Sequence, residues 1–441
     1  MTQEIILSPR AFCVRFCEIK RWDPISYHDI NWQWPKESML PIGELLIPRK
    51  EKVDRAKNNF TDLMPVTIHF DGSIEPRNMD SSKEYSMDLF WARPNDLVIS
   101  KIDLKNGAVA IVPESWKNVV VTGHFAVYKP NEDLIIPEYF TRIIQAGFFK
   151  NYLWRNKVGA EGRKEVKLEF FESITIPIPS LLIQNRIVER WQRARKEIAA
   201  IESKLSRIKK ELDLTLQQST NAFFSIKSSR FFVVGFSQAS QWDAKSGRSS
   251  VFRTLNPEFV RLGDFSEECT ELVKPWKEPV KDWPVYGVDN ERGVFFNSYQ
   301  KGKDFKVAYK RIKENWFFHN PTRANVGSLG MVPNVPSDSI TSPEYQVWRL
   351  KDGFLPEFMA LLLKTNYFLT LVEFNRVGGV KQRMYYANLA EIRLPMLDLD
   401  VQIQFANEWM IAQMELQKAE MNLKETQKEI EEMILGIRHV E

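Results

Sequence analysis

The stretch from Ile174 to Thr215 occurs twice in this chain, and this internal repeat constrains the fold more than any other feature. At an offset of 218 residues, the following five pairs are identical: Ile174 and Ile392, Pro177 and Pro395, Leu181 and Leu399, Gln184 and Gln402, Trp191 and Trp409. Proline cannot lie inside a helix, and each copy continues from its prolines without another proline or glycine. We therefore expect two long helices of matched length.

Apolar residues follow the repeated prolines in alternating steps of four and three. In the first copy they are Ile187, Trp191, Ala194, Ile198, Ile201, Leu205, Ile208, Leu212 and Thr215. In the second copy they are Phe405, Trp409, Ala412, Leu416, Ala419, Leu423, Thr426, Ile430 and Met433. A 3.5-residue repeat sustained in this way is typical of a coiled-coil seam, so we expect these side chains to form a helix-pair interface. The alternative, two unrelated amphipathic helices in a globular core, does not predict the shared register.

The two predicted helices carry opposite charges. From Leu181 to Ser229, ten Lys/Arg and five Asp/Glu give a net charge of +5, whereas from Asp398 to Glu441, four Lys/Arg and ten Asp/Glu give −6. Like charges on the flanks of two helices repel, and opposite charges favour pairing. The basic helix and the acidic helix are therefore expected to pair with each other, unless both are only solvated faces.

Length and composition set the remaining limits. A chain of 441 residues is too long for one hydrophobic core, so at least two domains are expected. Three cysteines make no disulfide framework, and the first ten residues do not resemble a signal peptide, which fits a cytoplasmic protein. The net charge of +4 is compatible with nucleic-acid binding but does not require it.

The duplication extends upstream of both helices. At offsets of 219 or 220 residues, short anchors recur: Trp22-Asp23 with Trp242-Asp243, Val112-Pro113 with Val332-Pro333, and Asn156–Gly159 with Asn375–Gly378. We therefore predict a globular domain over 1–180, a spacer helix over 181–229, a second globular domain over 230–397, and a second spacer helix over 398–441. Two equivalent units close most simply about a pseudo-two-fold axis, which would make the helices antiparallel.

Each globular half mixes strands with helices. Asp96–Ser100, for example, reads as a short buried strand. Pro137–Trp154 and its counterpart Pro356–Phe374 each predict one helix. The expected fold class is α/β in the broad sense (mixed α+β), with two tandem domains and an antiparallel coiled coil.

A basic loop that contains glycine ends each globular half, Asn156–Lys164 in the first and Asn375–Arg383 in the second. Glycine allows close approach of the backbone, Lys and Arg neutralise phosphates, and Arg and Gln can bond base edges. A second candidate pair of loops precedes the repeated Val-Pro. The residues that we expect at nucleic acid are Lys101, Lys157, Arg163, Lys164, Arg323, Asn325, Arg376, Lys381, Gln382 and Arg383. A solvated basic turn is the alternative.

Motifs for catalysis are scarce. The sequence has no Asn/Asp-Pro-Pro-aromatic motif of an amino-methyltransferase, no glycine fingerprint for a dinucleotide, no Walker-type loop, and no histidines at metal spacing. Asp96 with Asp103-Leu104-Lys105, or Glu165-Val166-Lys167, could mimic a nuclease site, although such triplets arise often by chance. We therefore expect no catalytic residue and no metal.

The ordered recurrence of these weak motifs resembles one known family, the DNA specificity subunits of Type I restriction–modification systems. The resemblance is carried by Ile176–Pro179 followed by Gln184, by Leu394-Pro395 followed by Gln402, and by the basic loops upstream. It covers essentially the whole chain.

This resemblance implies that each globular half is a target recognition domain reading one half of a bipartite, asymmetric sequence in double-stranded DNA. It implies that the helices act as a spacer and dock two methyltransferase (modification) subunits, with restriction or translocase subunits as further partners. The modification subunits would bring S-adenosylmethionine, so no cofactor is expected on this chain. A self-sufficient nuclease and a non-catalytic coiled-coil scaffold remain as alternatives.

Overall fold

The computed structural model describes two compact units. The residues described are 29–54, 56–77, 87–158, 165–218, 259–378 and 380–440. One unit takes in the described residues up to Glu197 together with those from Ala419 onward, and the other is the continuous segment Ile198–Lys418. A central helix, Leu181–Gln218, and a C-terminal helix, Leu399–Leu435, each contribute to both units. We call the remainder of each unit its head.

The first head is built from short strands and short helices. Its described strands are β1 (Met39–Pro41), β2 (Leu46–Arg49), β3 (Met64–Ile68), β4 (Ile74–Pro76), β5 (Leu89–Trp91), β6 (Leu97–Ser100), β7 (Val109–Ile111), β8 (Val119–Thr122), β9 (Phe125–Pro130) and β10 (Thr175–Pro177). Its α-helices are Ile42–Leu45, Pro137–Gln145, Gly147–Asn156 and Leu168–Ser173, and its 3-10 turns are Lys36–Ser38, Phe60–Asp62 and Leu104–Asn106. The strands form sheets in the orders β2-β9-β6-β7, β4-β3-β8-β5 and β1-β10.

The second head repeats this plan. Its strands are β11 (Phe259–Arg261), β12 (Ser266–Glu268), β13 (Leu272–Val273), β14 (Asp282–Asp289), β15 (Gly293–Lys301), β16 (Tyr309–Arg311), β17 (Phe317–His319), β18 (Leu329–Met331), β19 (Ile340–Thr341), β20 (Gln346–Leu350) and β21 (Arg393–Pro395). Its α-helices are Pro356–Leu362, Asn366–Asn375 and Tyr386–Ala390, and its 3-10 turns are Leu262–Asp264, Pro275–Lys277, Gly302–Asp304 and Ala324–Val326.

Each described sheet of the first head has a counterpart in the second head, where β13 is an additional strand. The order β12-β20-β17-β18 in the second head matches β2-β9-β6-β7 in the first, and β11-β21 matches β1-β10. The remaining sheet, β13-β16-β19-β14-β15, keeps a parallel pair (β14 with β19), as β3 with β8 does in the first head. The mixed α and β class and the duplication are therefore confirmed.

The predicted heptad seam is buried along both helices. None of its eighteen positions is exposed, and Ile187, Leu212 and Ile430 are almost completely buried. In the first unit, the start of the central helix shares a core with the end of the C-terminal helix. In the second unit, the end of the central helix shares a core with the start of the C-terminal helix. The two helices therefore run antiparallel where they meet in each unit, as expected.

Opposite charges join the helices in both units. Arg190 pairs with Glu429 in the first unit, and the Lys204 Nζ lies 2.8 Å from a carboxylate oxygen of Glu415 in the second. These pairs fit the expectation that the basic helix takes the acidic helix as its partner.

The prediction of one helix over Pro137–Trp154, and of one over Pro356–Phe374, is wrong. Each segment forms two helices, because the chain turns to extended backbone at Ala146 in the first head and at Thr365 in the second. The Thr365 side chain accepts a hydrogen bond from the Phe368 N–H and so caps the new helix. We call Gly147–Asn156 and Asn366–Asn375 the second head helices.

Residues near the start of the described chain are bonded to the end of the C-terminal helix. The Gln33 N–H donates to the Leu435 carbonyl at 2.8 Å, and the Trp34 indole N–H donates to the Ile434 carbonyl at 2.8 Å. Among the described residues, no helix has both the length and the apolar character needed to cross a bilayer.

Candidate nucleic-acid interface

In the first head, the glycine-bearing basic loop is closed at its base by a two-residue bridge. Val158 and Glu165 exchange backbone hydrogen bonds of 2.8 and 2.9 Å. The Lys157 Nζ lies 3.3 Å from the centre of the Trp154 ring, a cation–π contact that holds this lysine against the second head helix. The predicted residues Arg163 and Lys164 lie outside the described residues.

The second head closes its loop in the same way. Val377 and Arg383 exchange backbone hydrogen bonds of 2.9 and 2.8 Å. Gly378 has a φ of +108°, and a Cβ there would lie 3.0 Å from the Lys381 carbonyl oxygen, so the tight loop needs glycine. The side chains of Lys381 and Arg383 are exposed.

Arg376 has a different role from its loop neighbours. Its guanidinium is largely buried, pairs with the Glu373 carboxylate at 2.9 Å, and donates to the Gln382 carbonyl at 2.9 Å. It therefore fixes the shape of the loop from inside. Gln382 is half-buried, which leaves Lys381 and Arg383 as the more accessible of the four predicted residues here.

The second candidate pair of loops forms matching 3-10 turns after strands β6 and β17. These turns, Leu104–Asn106 and Ala324–Val326, each end at a left-handed glycine, Gly107 (φ +90°) and Gly327 (φ +95°). Beside the first turn, the Lys101 Nζ donates to the Gly123 carbonyl at 2.8 Å. Beside and within the second turn, Arg323 is exposed and Asn325 is half-buried.

The structure brings the two candidate loops of each head together. In the first head, the Trp154 indole N–H donates to the Asn106 Oδ1 at 3.2 Å. In the second head, the Met384 N–H donates to the Pro321 carbonyl at 2.8 Å, and an Nη of Arg376 lies 3.5 Å from the Thr322 carbonyl. Each head therefore presents one surface made of the described part of its basic loop, a 3-10 turn and the second head helix, which we call the loop face.

One buried glutamine in each head clamps that head to the long helix that follows it. In the sequence these two glutamines were noted only because they are identical in the two copies of the repeat. The Gln184 side chain accepts from the Ile136 N–H at 2.9 Å and donates to the Leu134 and Pro179 carbonyls at 2.9 Å. Gln402 makes the corresponding bonds to Leu355, Gly353 and Leu397 at 3.2, 3.4 and 2.9 Å.

One acidic residue binds the N-terminus of the second head helix in each head, and the sequence analysis did not identify either residue. The Asp213 carboxylate accepts from the Asn366 and Tyr367 N–H groups at 3.1 and 2.8 Å, and the Glu431 carboxylate accepts from the Gly147 N–H at 2.9 Å. Free N–H groups and the helix dipole favour a carboxylate at this position. Both acids lie at the offset of 218 that relates the helices, which was the signal available.

The nuclease-like residues are engaged in the fold. Asp96 is buried, accepts from the Arg49 Nε–H at 2.6 Å, and accepts from the Arg93 backbone N–H at 2.7 Å. The backbone of Glu165 forms the bridge at the base of the first basic loop. Within the part of the chain that the structure describes, no group of three or more His, Cys, Asp or Glu side chains could hold a metal ion.

One histidine is fully buried in the second head. Burial lowers the pKa of His319 from 6.5 to about 4, and its Nε2 lies 2.9 Å from the Met384 carbonyl. The ring is therefore neutral at pH 7 and donates to the backbone between the basic loop and the helix Tyr386–Ala390.

Comparison with known proteins gives one match to a protein family. Residues 81–210 match the Type I restriction modification DNA specificity domain. This range takes in part of the first head, including its loop face, and most of the central helix. Curated protein sequences gave no match.

Three solved structures resemble the chain over most of its length. The S subunit of a Type-I restriction-modification system from M. genitalium is 11% identical, with 92% of this chain and 96% of that chain covered and a TM-score of 0.45. The HsdS subunit from Thermoanaerobacter tengcongensis is 17% identical, with 90% and 94% covered and a TM-score of 0.32. A structure reported for complex assembly and conformational transition of the type I R-M system is 16% identical, with 90% and 95% covered and a TM-score of 0.40.

Proposed function

We propose that this chain, whose residues 81–210 belong to the family of Type I restriction modification DNA specificity domains, is a DNA specificity subunit that reads a bipartite, asymmetric target. The observation that carries the proposal is the family match together with the repeat. The match falls on the first head and the central helix, and the described strands of the first head have counterparts in the same sheet order in the second head. The recognition role therefore extends to both heads.

The loop faces are the DNA-contacting surfaces in this proposal. Each combines exposed or cation–π-held basic side chains with glycine-containing backbone, which suits contacts to phosphates and to base edges in a groove. The two faces differ at matching places: Trp154, against which Lys157 lies in the first head, is replaced at the offset of 219 by Glu373, which pairs with Arg376 in the second head. Two different half-sites follow from this difference.

The two long helices serve as the docking surface for two methyltransferase subunits, and restriction or translocase subunits join the same assembly. Large apolar side chains remain exposed on the C-terminal helix at Ile403, Met410 and Met414, where a partner helix could bury them. In this proposal, methylation uses S-adenosylmethionine held by those subunits, and the present chain contributes recognition without catalysis. The assembly works on DNA in the cytoplasm.

A selection experiment tests the proposal. The purified full chain, alone and mixed with its methyltransferase subunit, would be incubated with random-sequence duplexes, and bound DNA would be sequenced. We expect two short, unlike motifs separated by a fixed unspecified spacer, and affinity that falls steeply with salt. Bound pools without any enriched motif would overturn sequence-specific recognition, and absence of DNA binding would favour the scaffold.

Enzyme activity is tested on the same material. We expect no methyl transfer by the isolated chain, and methyl transfer once the methyltransferase subunit is added. Magnesium-dependent cutting by the isolated chain that Asp96→Asn abolishes would instead support the nuclease.

A further inference from the structure

The first unit contains a cavity between the loop face of its head and the two long helices. Its volume is about 550 Å³. Its walls come from the β3–β4 turn, the 3-10 turn Leu104–Asn106, the helices Pro137–Gln145 and Gly147–Asn156, and both long helices. The lining residues are Phe70, Asp71, Gly72, Ser73, Asn106, Arg142, Gln145, Ala146, Lys150, Trp191, Arg195, Gln427, Ile430 and Glu431. All of them belong to the first unit.

Three cations line this cavity, and the Asp71 carboxylate in its wall interacts electrostatically with Arg142 and Arg195 without a direct bond to either. The side chains of Arg142, Lys150 and Arg195 form no hydrogen bond or ion pair with any residue that the structure describes. Arg142 is the most enclosed of the three: its guanidinium stacks on Trp191, 4.5 Å from the ring centre. Burial, with a smaller contribution from nearby Arg195 and an opposing one from Asp71, lowers the pKa of Arg142 to about 10, so the group is still charged at pH 7.

The two acids in the cavity wall are already engaged. Asp71 accepts hydrogen bonds from the backbone N–H and the hydroxyl of Ser73, at 2.9 and 2.6 Å. Glu431 holds the Gly147 N–H at the start of the second head helix. With these two carboxylates counted, the cavity keeps one excess positive charge, because three cations face two acids. An enclosed arginine to which no carboxylate is hydrogen-bonded is costly, and a bound anion would lower that cost.

The second unit is an internal control for this feature. At the offsets that relate the two halves, the positions of Arg142, Lys150 and Arg195 are occupied by Leu361, Leu369 and Gln413. Leu361 is completely buried in the apolar core, next to Trp409 in the same cluster. The scaffold therefore does not need a charge at any of the three places, whereas the acid that holds the second head helix is present in both units.

The cavity is continuous with the loop face of the first head. Asn106 lines it and also accepts the hydrogen bond from Trp154, the ring against which Lys157 lies. From these observations we infer that the cavity is a phosphate site, in which Arg142, Lys150 and Arg195 hold a phosphodiester of the DNA backbone beside the first half-site. Guanidinium groups suit phosphate oxygens because they donate in a planar fork. This inference rests on the proposed function, and it adds an anchoring contact that the second unit lacks.

Residues from the second unit provide the test variants. Arg142→Leu, Lys150→Leu and Arg195→Gln, singly and together, place the second unit's side chains in the first, so the fold is expected to be kept. Lys210→Gln, an exposed position on the central helix away from the cavity, is the matched control. Affinity of the full chain for its selected duplex, and for a duplex with both half-sites scrambled, would be measured across a range of salt concentrations.

One lost phosphate contact lowers the slope of log affinity against log salt by about one, and it weakens binding to both duplexes equally. We expect this from the triple variant and no change from Lys210→Gln. An unchanged slope in a triple variant that still binds would overturn the phosphate site while leaving the proposed function intact. Loss of methyltransferase binding with unchanged DNA affinity would also overturn it and assign the cavity to an acidic side chain of that partner.

If the wild-type chain bound no DNA, the proposed function would be contradicted. A second measurement would then test whether the cavity binds phosphate. Thermal unfolding would be followed in inorganic phosphate and in chloride of equal ionic strength. A rise in Tm with phosphate that Arg142→Leu abolishes would identify free phosphate as the ligand and overturn the DNA assignment. Equal Tm values in both salts, without DNA binding, would overturn the site altogether.

Discussion

Gln184 in the first unit and Gln402 in the second clamp corresponding loops to the starts of corresponding helices. In contrast, the three cations of the cavity beside Arg142 are replaced in the second unit by Leu361, Leu369 and Gln413. The heads are thus alike where they join the helices and unlike where they meet solvent. Joining geometry has to be kept for the chain to pack, because a buried polar group without a partner is costly. Solvent-facing side chains are free of that constraint, and in the proposed function the difference between them would allow one scaffold to read two sequences.

The glutamine clamps offer the largest expected effect. Gln184→Leu leaves the Ile136 N–H and the Leu134 carbonyl without their partner, and we expect a loss of about 3 kcal/mol in the free energy of unfolding. Gln402→Leu should cost about 2 kcal/mol, because two of its three bonds are longer, at 3.2 and 3.4 Å. Urea unfolding gives the size of the loss, and hydrogen exchange locates it in one unit. If either substitution lowered the stability of both units equally, the conclusion that each glutamine stabilises its own unit would be wrong.

Acid should weaken the second unit before the first. The pKa of His319 is lowered from 6.5 to about 4 in the folded state. Between these two pH values the unfolded chain therefore binds a proton at this histidine and the folded chain does not. This contribution to stability is complete above about pH 6.5 and is lost as pH falls toward 4, by up to about 1.4 kcal/mol per pH unit.

Urea unfolding at pH 7 and pH 5 measures this effect, which should reach about 2 kcal/mol. His319→Gln keeps a donor for the Met384 carbonyl and should remove the pH dependence. Strand β6, which corresponds to β17, has no histidine, so hydrogen exchange in the first head should change less. A variant as acid-sensitive as the wild type would show that another group titrates.

Substitutions in one loop face should weaken binding to one DNA half-site and leave binding to the other half-site unchanged. Lys157→Ala should lower affinity about tenfold when the first half-site is present, and Arg383→Ala should do so for the other half-site. Duplexes with one half-site scrambled measure each effect by itself, and Lys210→Gln is again the control. If both substitutions weakened binding to every duplex equally, these residues would contact phosphates and would not read bases.

The interhelical ion pairs should matter least. Arg190 with Glu429, and Lys204 with Glu415, are exposed enough for solvent to screen them, and each is expected to contribute under about 0.5 kcal/mol. Double-mutant cycles on each pair measure the coupling. A coupling above 1 kcal/mol in one unit alone would show that charge does more than select the partner helix.

The helices were the most predictable part of the chain because their pattern is local. Step lengths of four and three identify the buried seam, and every predicted position is shielded in the structure. The break at Ala146 was not predictable in the same way, since the apolar pattern continues across it and only a cap or a turn shows where the helix stops. The strand order β2-β9-β6-β7 depends on pairing between distant segments, for which a single sequence carries no periodic signal.

The candidate site was predictable in its location but not in the role of each side chain. Glycine and basic residues marked both basic loops, but sequence could not show that the Arg376 guanidinium bonds inside its own loop. Arg142 was also invisible, because its position on a helix with apolar neighbours gives no sign that its charge lies against Trp191. Whether each exposed residue contacts DNA stays a prediction until the half-site measurements are made.

The first unit is assembled from the early part of the chain and from its last helix, since Ile187 and Val188 share a core with Ile430 and Ile434. During translation the first head emerges from the ribosome long before Ile430 and Ile434 are synthesised. All of the second unit, Ile198–Lys418, is synthesised before those two residues are. The part encoded second can therefore finish folding first, and the part encoded first must wait with apolar side chains uncovered. A stop codon shortly after Lys418 would thus damage the head at the opposite end of the gene.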